Sequence, residues 1–260
     1  MSNPLHTSTD SVAQPPVDVR TFAAAPVPPR LALVALALPG VRSVRRNWRG
    51  IVGLQVMGLL VVLAYYQLPA ARGWYDAMAA AKQRGGYAFA AVVMGLASGV
   101  LPEIAKYVFG VDRRLNAARW RHTVFNTLMY ACLGMLVDAF YRYLAYSVGN
   151  EVTLRNVAIK VAADQFIYSP LLGVGLVALA YTWREHRYSV RRTFAALGRH
   201  WYVTRVVILL LPCWAYWIPM TSLMYSLPPS LVFVFGAFAS AAASLMLTSI
   251  ASESAKVGEP

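Results

Sequence analysis

The sequence predicts an all-α fold, a polytopic transmembrane helical bundle with about six spans, and three observations lead to this class. First, 58% of the 260 residues are hydrophobic and the mean hydropathy is +0.49. Only 13% are charged, against roughly a quarter in soluble domains. Second, apolar runs near the length of a membrane-spanning helix recur along the chain. Third, basic residues concentrate in alternate loops between these runs.

Six apolar runs define the predicted spans. A segment in the bilayer core must satisfy its backbone hydrogen bonds internally, so each run is predicted to be a helix. The alternating pattern of an outer-membrane barrel, in strands of about ten residues, does not occur in the sequence. The six runs are Ile51–Leu68, Tyr87–Phe109, Thr123–Tyr146, Val161–Tyr181, Val206–Tyr225 and Pro229–Ala251.

Residues 31–252 are therefore assigned to one transmembrane helical domain. Residues 1–30 are rich in Pro, Ala, Ser and Thr, a composition that predicts a disordered N-terminal tail. Residues 253–260 are assigned to a short C-terminal tail. The apolar run Leu31–Leu38 is too brief to span a bilayer. It is predicted to end at Pro39-Gly40 and to lie at the membrane interface.

The distribution of arginine predicts the orientation of the chain. Arginine clusters precede the first span, separate the second from the third, and separate the fourth from the fifth. Cationic loops resist translocation, so both termini are predicted to lie in the compartment of these loops. The net charge of +13 arises largely from the same loops, and nucleic acid is therefore not predicted as a partner. The clusters are Arg42, Arg45, Arg46 and Arg49; Arg113, Arg114, Arg119 and Arg121; and Arg184, Arg187, Arg191, Arg192, Arg199 and Arg205.

Polar residues within the spans are the candidates for a pore or ion path, because charges inside a bilayer usually face a bundle interior or water. In the second and third spans an acid and a base stand three or four residues apart and can meet on one helix face. Asp164 falls at the depth of Arg142, which predicts an ion pair between them. An alternative is that all these charges form satisfied internal pairs without a transport role. The candidates are Glu103, Lys106, Asp138, Arg142, Asp164 and Gln165.

The sequence contains no pattern typical of catalysis, a metal or a cofactor. The four histidines lie in the tail or the basic loops, and neither H-E-x-x-H, G-x-S-x-G nor a Gly-rich phosphate loop occurs. Cys132 and Cys213 lie in apolar runs without metal-ligand spacing. Asp138 and Asp164 are the candidate acid pair of an intramembrane protease, but their flanks carry no supporting motif. We therefore expect no enzyme activity, no cofactor and no metal.

Small residues recur every four positions along the sixth run. Such residues share one helix face and permit close contact with neighbouring helices. This face predicts a packing seam rather than a pore lining. Its members are Gly236, Ser240, Ser244 and Thr248.

Four elements occur in an order typical of one known family. The segment from Asp164 to Pro170 has the pattern D-Q-x-x-x-x-P, and Trp217-Ile218-Pro219 has the pattern aromatic–apolar–Pro. Gly134, Tyr141 and Leu144 fit a run written G-P-x-x-H-x-W-Y-x-x-L, and Gly99 fits the start of G-D-x-x-x-Q. Together, over about Gly95–Ser249, these elements resemble the family of Mpv-seventeen and peroxisomal membrane protein twenty-two.

The chain departs from that family's pattern at several positions. Val100 and Ile104 stand in place of the Asp and Gln of one motif, and Met135, Asp138 and Phe140 in place of the Pro, His and Trp of another. The resemblance therefore implies a divergent, bacterial-type member in a bacterial inner membrane, with the mitochondrial inner membrane as the alternative. It further implies a weakly selective pore for small solutes that affects membrane potential and metabolite balance.

Composition and resemblance together predict a channel-like or transport-related protein for small solutes or ions. Its expected partners are the lipid bilayer, the solutes or ions themselves, and further copies of the chain in a homo-oligomer. Two other classes remain open. One is a non-transporting membrane scaffold that stabilises a lipid or protein assembly, and the other is an intramembrane enzyme.

Overall fold

The computed structural model describes residues 32–108 and 116–257, and its regular elements there are all helical, which confirms the all-α class. The predicted tail of residues 1–30 lies outside the described residues. The α-helices are α1 (Ala32–Gln67), α2 (Pro69–Gly95), α3 (Leu101–Val108), α4 (Ala117–Val148), α5 (Leu154–Ala163), α6 (Val174–Glu185), α7 (Val190–Ala196), α8 (Ile208–Ser226) and α9 (Pro229–Val257). There are also three π-helical segments in the described residues. Leu96–Val100 joins α2 to α3, Asp164–Gly173 joins α5 to α6, and Val203–Val207 leads into α8.

Within the described residues, five helical stretches are long and apolar enough to cross a membrane, and they indicate an integral membrane protein. The sixth predicted span forms α9. Within α9, the structure describes the side chains of the apolar stretch Leu231–Met246. This stretch is shorter than the other five. The five stretches are Trp48–Gln67, Pro69–Val108, Ala117–Val148, Leu154–Glu185 and Arg205–Ser226.

Two helix ends differ from the prediction. The helix α1 passes through Pro39 and Gly40, where the sequence predicted a break. A proline removes one backbone hydrogen bond and can bend a helix without ending it. At the other terminus α9 continues to Val257, into the stretch assigned to the C-terminal tail.

The helix α2 is divided at Gly86, whose φ of 50° and ψ of −128° are not helical. A positive φ is strained for a residue with a Cβ, so glycine suits this turn. Residues 69–85, before the turn, form a segment that lies against α1, where Tyr75 is buried and donates to the Val61 carbonyl. We call residues 69–85 the outer segment, because they lie at the end of the bundle opposite the basic loops. Residues 87–108 form the second span.

The core is built around α9, in which residues 239–246 are all buried. This helix runs antiparallel to α1, so that Leu54 packs near Leu245 in one cluster and Val62 packs near Leu231 in another. On the predicted small-residue face, Ser240 and Ser244 are buried. A Cβ on Gly236 would lie 2.9 Å from Met224 Cε. These three residues thus form a packing seam. The side chain of Thr248, the fourth predicted member, lies outside the described residues.

The second span, residues 87–108, and α4 approach each other closely because glycines stand at their contact. A Cβ on Gly99 would lie 2.6 Å from Thr127 Cα, and a Cβ on Gly134 would lie 2.7 Å from the Ala90 carbonyl oxygen. Neither distance is compatible with a side chain, because real Cβ contacts are longer. The two helices are therefore held at a spacing that only glycine permits at these positions.

Candidate functional site

The outer end of the bundle carries a buried carboxylate with two cations. Asp138, on α4, is 3% exposed. Arg142 Nε lies 2.8 Å from its Oδ2, and Lys82 Nζ lies 3.3 Å from its Oδ1. The pairing of Arg142 follows from its spacing on α4, as predicted. Lys82 was not predicted, because the outer segment that carries it lies outside the predicted spans.

Asp164 begins the second π-helical segment and is satisfied by tyrosines. The Tyr225 hydroxyl donates to Asp164 Oδ2 at 2.9 Å, and the Tyr141 hydroxyl also hydrogen-bonds the carboxylate. Among the ion pairs of the described residues, Arg142 and Asp164 do not form one, so the predicted pairing is wrong. Arg142 instead turns to Asp138 and the Tyr87 ring and leaves half of its side chain exposed. Neutral hydroxyls satisfy Asp164 without the cost of desolvating a guanidinium.

Gln165 is the neighbouring polar group and is 1% exposed. Its Nε2 donates to Asp164 Oδ1 at 3.3 Å and to Thr221 Oγ1 at 3.4 Å. Its Oε1 has no hydrogen-bond partner within the described structure. An unsatisfied buried acceptor is costly and uncommon in native proteins.

The backbone around Gln165 is opened by the π-helical geometry and by Pro170, which lacks an N–H. The indole N–H of Trp214 donates to the Gln165 carbonyl at 2.8 Å, and the Tyr202 hydroxyl donates to the Pro170 carbonyl at 3.0 Å. Side chains from α8 and from the residues before it thus donate to carbonyls of this segment and attach it to its neighbours.

The inner end carries the predicted pair of Glu103 and Lys106, with Lys106 Nζ 2.6 Å from Glu103 Oε1. Arg119 joins them, with its Nε 2.6 Å from Glu103 Oε2. The sequence placed Arg119 in a basic loop, but α4 begins at Ala117 and includes it. The side chain of Asn116 accepts from the Arg119 backbone N–H at 2.8 Å and caps the helix.

A second polar cluster lies one turn further along α4. The Tyr181 hydroxyl donates to Asn126 Oδ1 at 2.8 Å, and Asn126 Nδ2 lies 3.1 Å from His122 Nε2. Arg184 Nη1 lies 2.5 Å from His122 Nδ1. His122 was assigned to a loop from the sequence, whereas the structure places it inside α4. Further along, Tyr130 hydrogen-bonds Ser244.

These groups follow α4 from one end to the other, and we call them the polar series. From Arg119 to Arg142 an α-helix rises about 35 Å, which is comparable to a hydrocarbon core of about 30 Å. Polar contacts recur at intervals over this length. The polar series comprises Glu103, Lys106, Arg119, His122, Asn126, Tyr130, Asp138, Tyr141 and Arg142, together with Lys82, Asp164, Gln165, Tyr181, Thr221, Tyr225 and Ser244 on the neighbouring helices.

No protein-family model, curated protein or solved structure matches the chain. Within residues 48–108 and the described part of 116–246, no group of three or more His, Cys, Asp or Glu side chains is placed to hold a metal ion. The geometry of the polar series is therefore the basis on which a function can be assigned.

Proposed function

We propose that this protein is channel-like or transport-related and passes small solutes or ions across its membrane along the polar series. The observation that supports this function is the recurrence of polar side chains over about 35 Å of α4, with buried members between its two ends. Polar and charged groups within a bilayer are costly and mark solute or ion pathways in many membrane proteins. Close packing of the second span on α4 is already provided by glycines at their contact, so it does not require the polar side chains.

The chemistry of the centre supports weak selectivity. Tyrosine and threonine hydroxyls, and the amide of Gln165, can each donate to or accept from a passing solute. Gln165 and Thr221 are each 1% exposed, so the path is closed at this level and passage requires the helices to separate. The resemblance to the family of Mpv-seventeen and peroxisomal membrane protein twenty-two supports the same class of function. We propose the chain as a divergent member of that family.

A non-transporting membrane scaffold is the alternative. It is favoured by the complete pairing of Glu103 and Asp138, each of which has two cationic partners. Charges that satisfy one another in this way can serve to orient helices without any solute passing. The unpartnered Gln165 Oε1 favours transport instead, because packing gains nothing from it.

Reconstitution into planar bilayers tests the proposal, with current recorded against voltage and ion identity. Release of a neutral solute from liposomes covers species that carry no current. We expect Gln165→Met to lower flux severalfold, because it keeps the volume of the side chain but removes its amide. The matched control is Gln67→Met, the same substitution at an exposed position.

If folded wild-type protein carries neither current nor solute, the transport proposal is wrong and the scaffold is the remaining function. Equal flux through wild type and Gln165→Met would mean that solutes do not pass Gln165. A loss of flux in both variants would point to a general effect of the substitution.

A further inference from the structure

A cleft of about 350 Å³ opens at the outer end of the bundle, between the outer segment, α4 and α9. Its walls are of two kinds. Met78 and Phe233 contribute apolar surface, while Lys82, Gln83 and Arg142 contribute hydrogen-bond donors around the carboxylate of Asp138. The volume lies at the lower end of the range typical of small-ligand sites.

The two cations are held in position at this cleft. Lys82 Nζ lies 4.7 Å from the centre of the Phe233 ring, and the Arg142 guanidinium lies 5.1 Å from the centre of the Tyr87 ring. Asp138 fixes the other side of both groups. The side chains of Lys82 and Arg142 are nevertheless 29% and 52% exposed. Donors not used by Asp138 are therefore accessible from the cleft.

The charge of the cleft exceeds what the fold requires. One cation is enough to neutralise Asp138, and the second leaves a net charge of +1. The topology does not account for the second cation either, because cationic residues are favoured at the opposite end of the bundle. Ammonium and guanidinium groups side by side are typical of sites that bind phosphate or carboxylate.

We propose that this cleft binds a phosphate-bearing anion between Lys82 and Arg142, with Gln83 as an additional donor. The apolar wall of Met78 and Phe233 contacts the uncharged part of the ligand. The phosphate belongs either to the headgroup of an anionic phospholipid or to a free phosphate compound, and both use the same contacts. Lys82, Asp138 and Arg142 also belong to the polar series, but the proposal does not rest on transport, because binding is measured without any gradient.

The test uses the full chain in maltoside micelles and has two arms. In the first arm, inorganic phosphate is titrated at constant ionic strength, set with sodium chloride, and binding is followed by the melting temperature. In the second arm, native mass spectrometry counts bound dioleoyl phosphatidylglycerol, with dioleoyl phosphatidylcholine as the zwitterionic comparison. The variants are Lys82→Met and Arg142→Gln, and Arg84→Gln is the control, because Arg84 is an exposed cation of the same segment.

We expect Lys82→Met and Arg142→Gln each to weaken binding about tenfold, the effect of losing one charge-assisted hydrogen bond. Arg84→Gln should change the affinity less than about twofold, since it retains both contacts. Each test variant leaves Asp138 with one cation, so the carboxylate remains paired. If either variant fails to fold, Gln83→Leu provides a second measurement, because Gln83 is exposed. This variant should weaken binding severalfold.

Binding in the first arm with this variant pattern identifies a free phosphate compound, and binding in the second arm alone identifies a lipid headgroup. The proposal is overturned if wild type binds neither probe. It is equally overturned if the cleft variants bind as well as wild type, or if Arg84→Gln loses as much affinity as they do.

Discussion

Asp138 and Asp164 are both buried carboxylates, yet their partners are of different chemical kinds. Asp138 lies near the outer end, where Lys82 and Arg142 can pair with it and still extend their charged groups toward solvent. Asp164 lies among aromatic side chains and accepts hydrogen bonds from Tyr225 and Tyr141. A guanidinium at that position would lose its hydration, so hydroxyl donors are the less costly solution.

We expect a double-mutant cycle of Asp164→Asn and Tyr225→Phe to show coupling of about 0.5–3 kcal/mol in the free energy of unfolding. Removal of the hydroxyl deprives a buried carboxylate of a donor, and this cost falls once residue 164 is an amide. The cycle is measured by unfolding in mixed micelles.

The matched cycle of Asp164→Asn and Arg142→Gln should be additive within about 0.5 kcal/mol, because these residues do not form an ion pair. Strong coupling in this second cycle, without coupling in the first, would contradict the arrangement of Asp164 seen in the structure.

The partners of charged residues were predictable only where one helix carries both. Glu103 with Lys106, and Asp138 with Arg142, follow from spacing, since the geometry of a helix fixes which positions share a face. The partner of Asp164 depends instead on how the helices carrying Tyr141 and Tyr225 are rotated. A neutral tyrosine carries no charge signal, so nothing in the spacing distinguishes it from an interfacial aromatic residue.

The contact between the second span and α4 gives a prediction about glycine. Gly99→Ala should destabilise the protein by about 1–3 kcal/mol or more, because the new Cβ would overlap the backbone of Thr127. Gly73→Ala is the control, since a Cβ on Gly73 meets nothing within 4 Å. It should be neutral, or stabilising by up to about 1 kcal/mol, as alanine favours a helix interior. Equal melting temperatures for the two variants would contradict the close contact at Gly99.

The seam on α9 gives a second prediction for a single helix. Ser240→Phe should lower the melting temperature strongly or prevent folding, because Ser240 is buried in the seam. Ala88→Phe places the same ring on an exposed face of α2 and should have little effect. Unchanged stability of Ser240→Phe in detergent would show that the seam has room for a ring, contrary to its burial.

Apolar runs located the spans well because composition alone determines whether a helix can reside in lipid. The outer segment was not predicted as helix, since Arg72, Lys82 and Arg84 give it the composition of a loop. The π-helical segments were not predicted either. A π turn results from one additional residue in a helix, and apart from Pro170 the sequence around Asp164 carries no signal for it.

The arrangement of the full bundle predicts sidedness. The first and last spans, in α1 and α9, are antiparallel, so the chain crosses the membrane an even number of times. Both chain termini are therefore predicted to lie on the side of the basic loops. In a background with Cys132 and Cys213 replaced by alanine, single cysteines at Ser2, Gly198 and Gly258 should react with a membrane-impermeant reagent from one side. Asn150→Cys, between α4 and α5, should react from the other side. Labelling of the two terminal cysteines from opposite sides would require an odd number of crossings.

The π-helical segment Asp164–Gly173 has a consequence for changes in chain length. A one-residue deletion inside α6 would rotate every later position of that helix by about 100°, and would turn the buried Thr182 away from its contact with Trp201. The same deletion within the π-helical segment can be absorbed, because a wide turn that loses one residue becomes an ordinary α turn. The chain can therefore shorten by one residue at this point while the helix beyond it keeps its inward face, so a single-residue deletion should be tolerated better in this segment than inside α6.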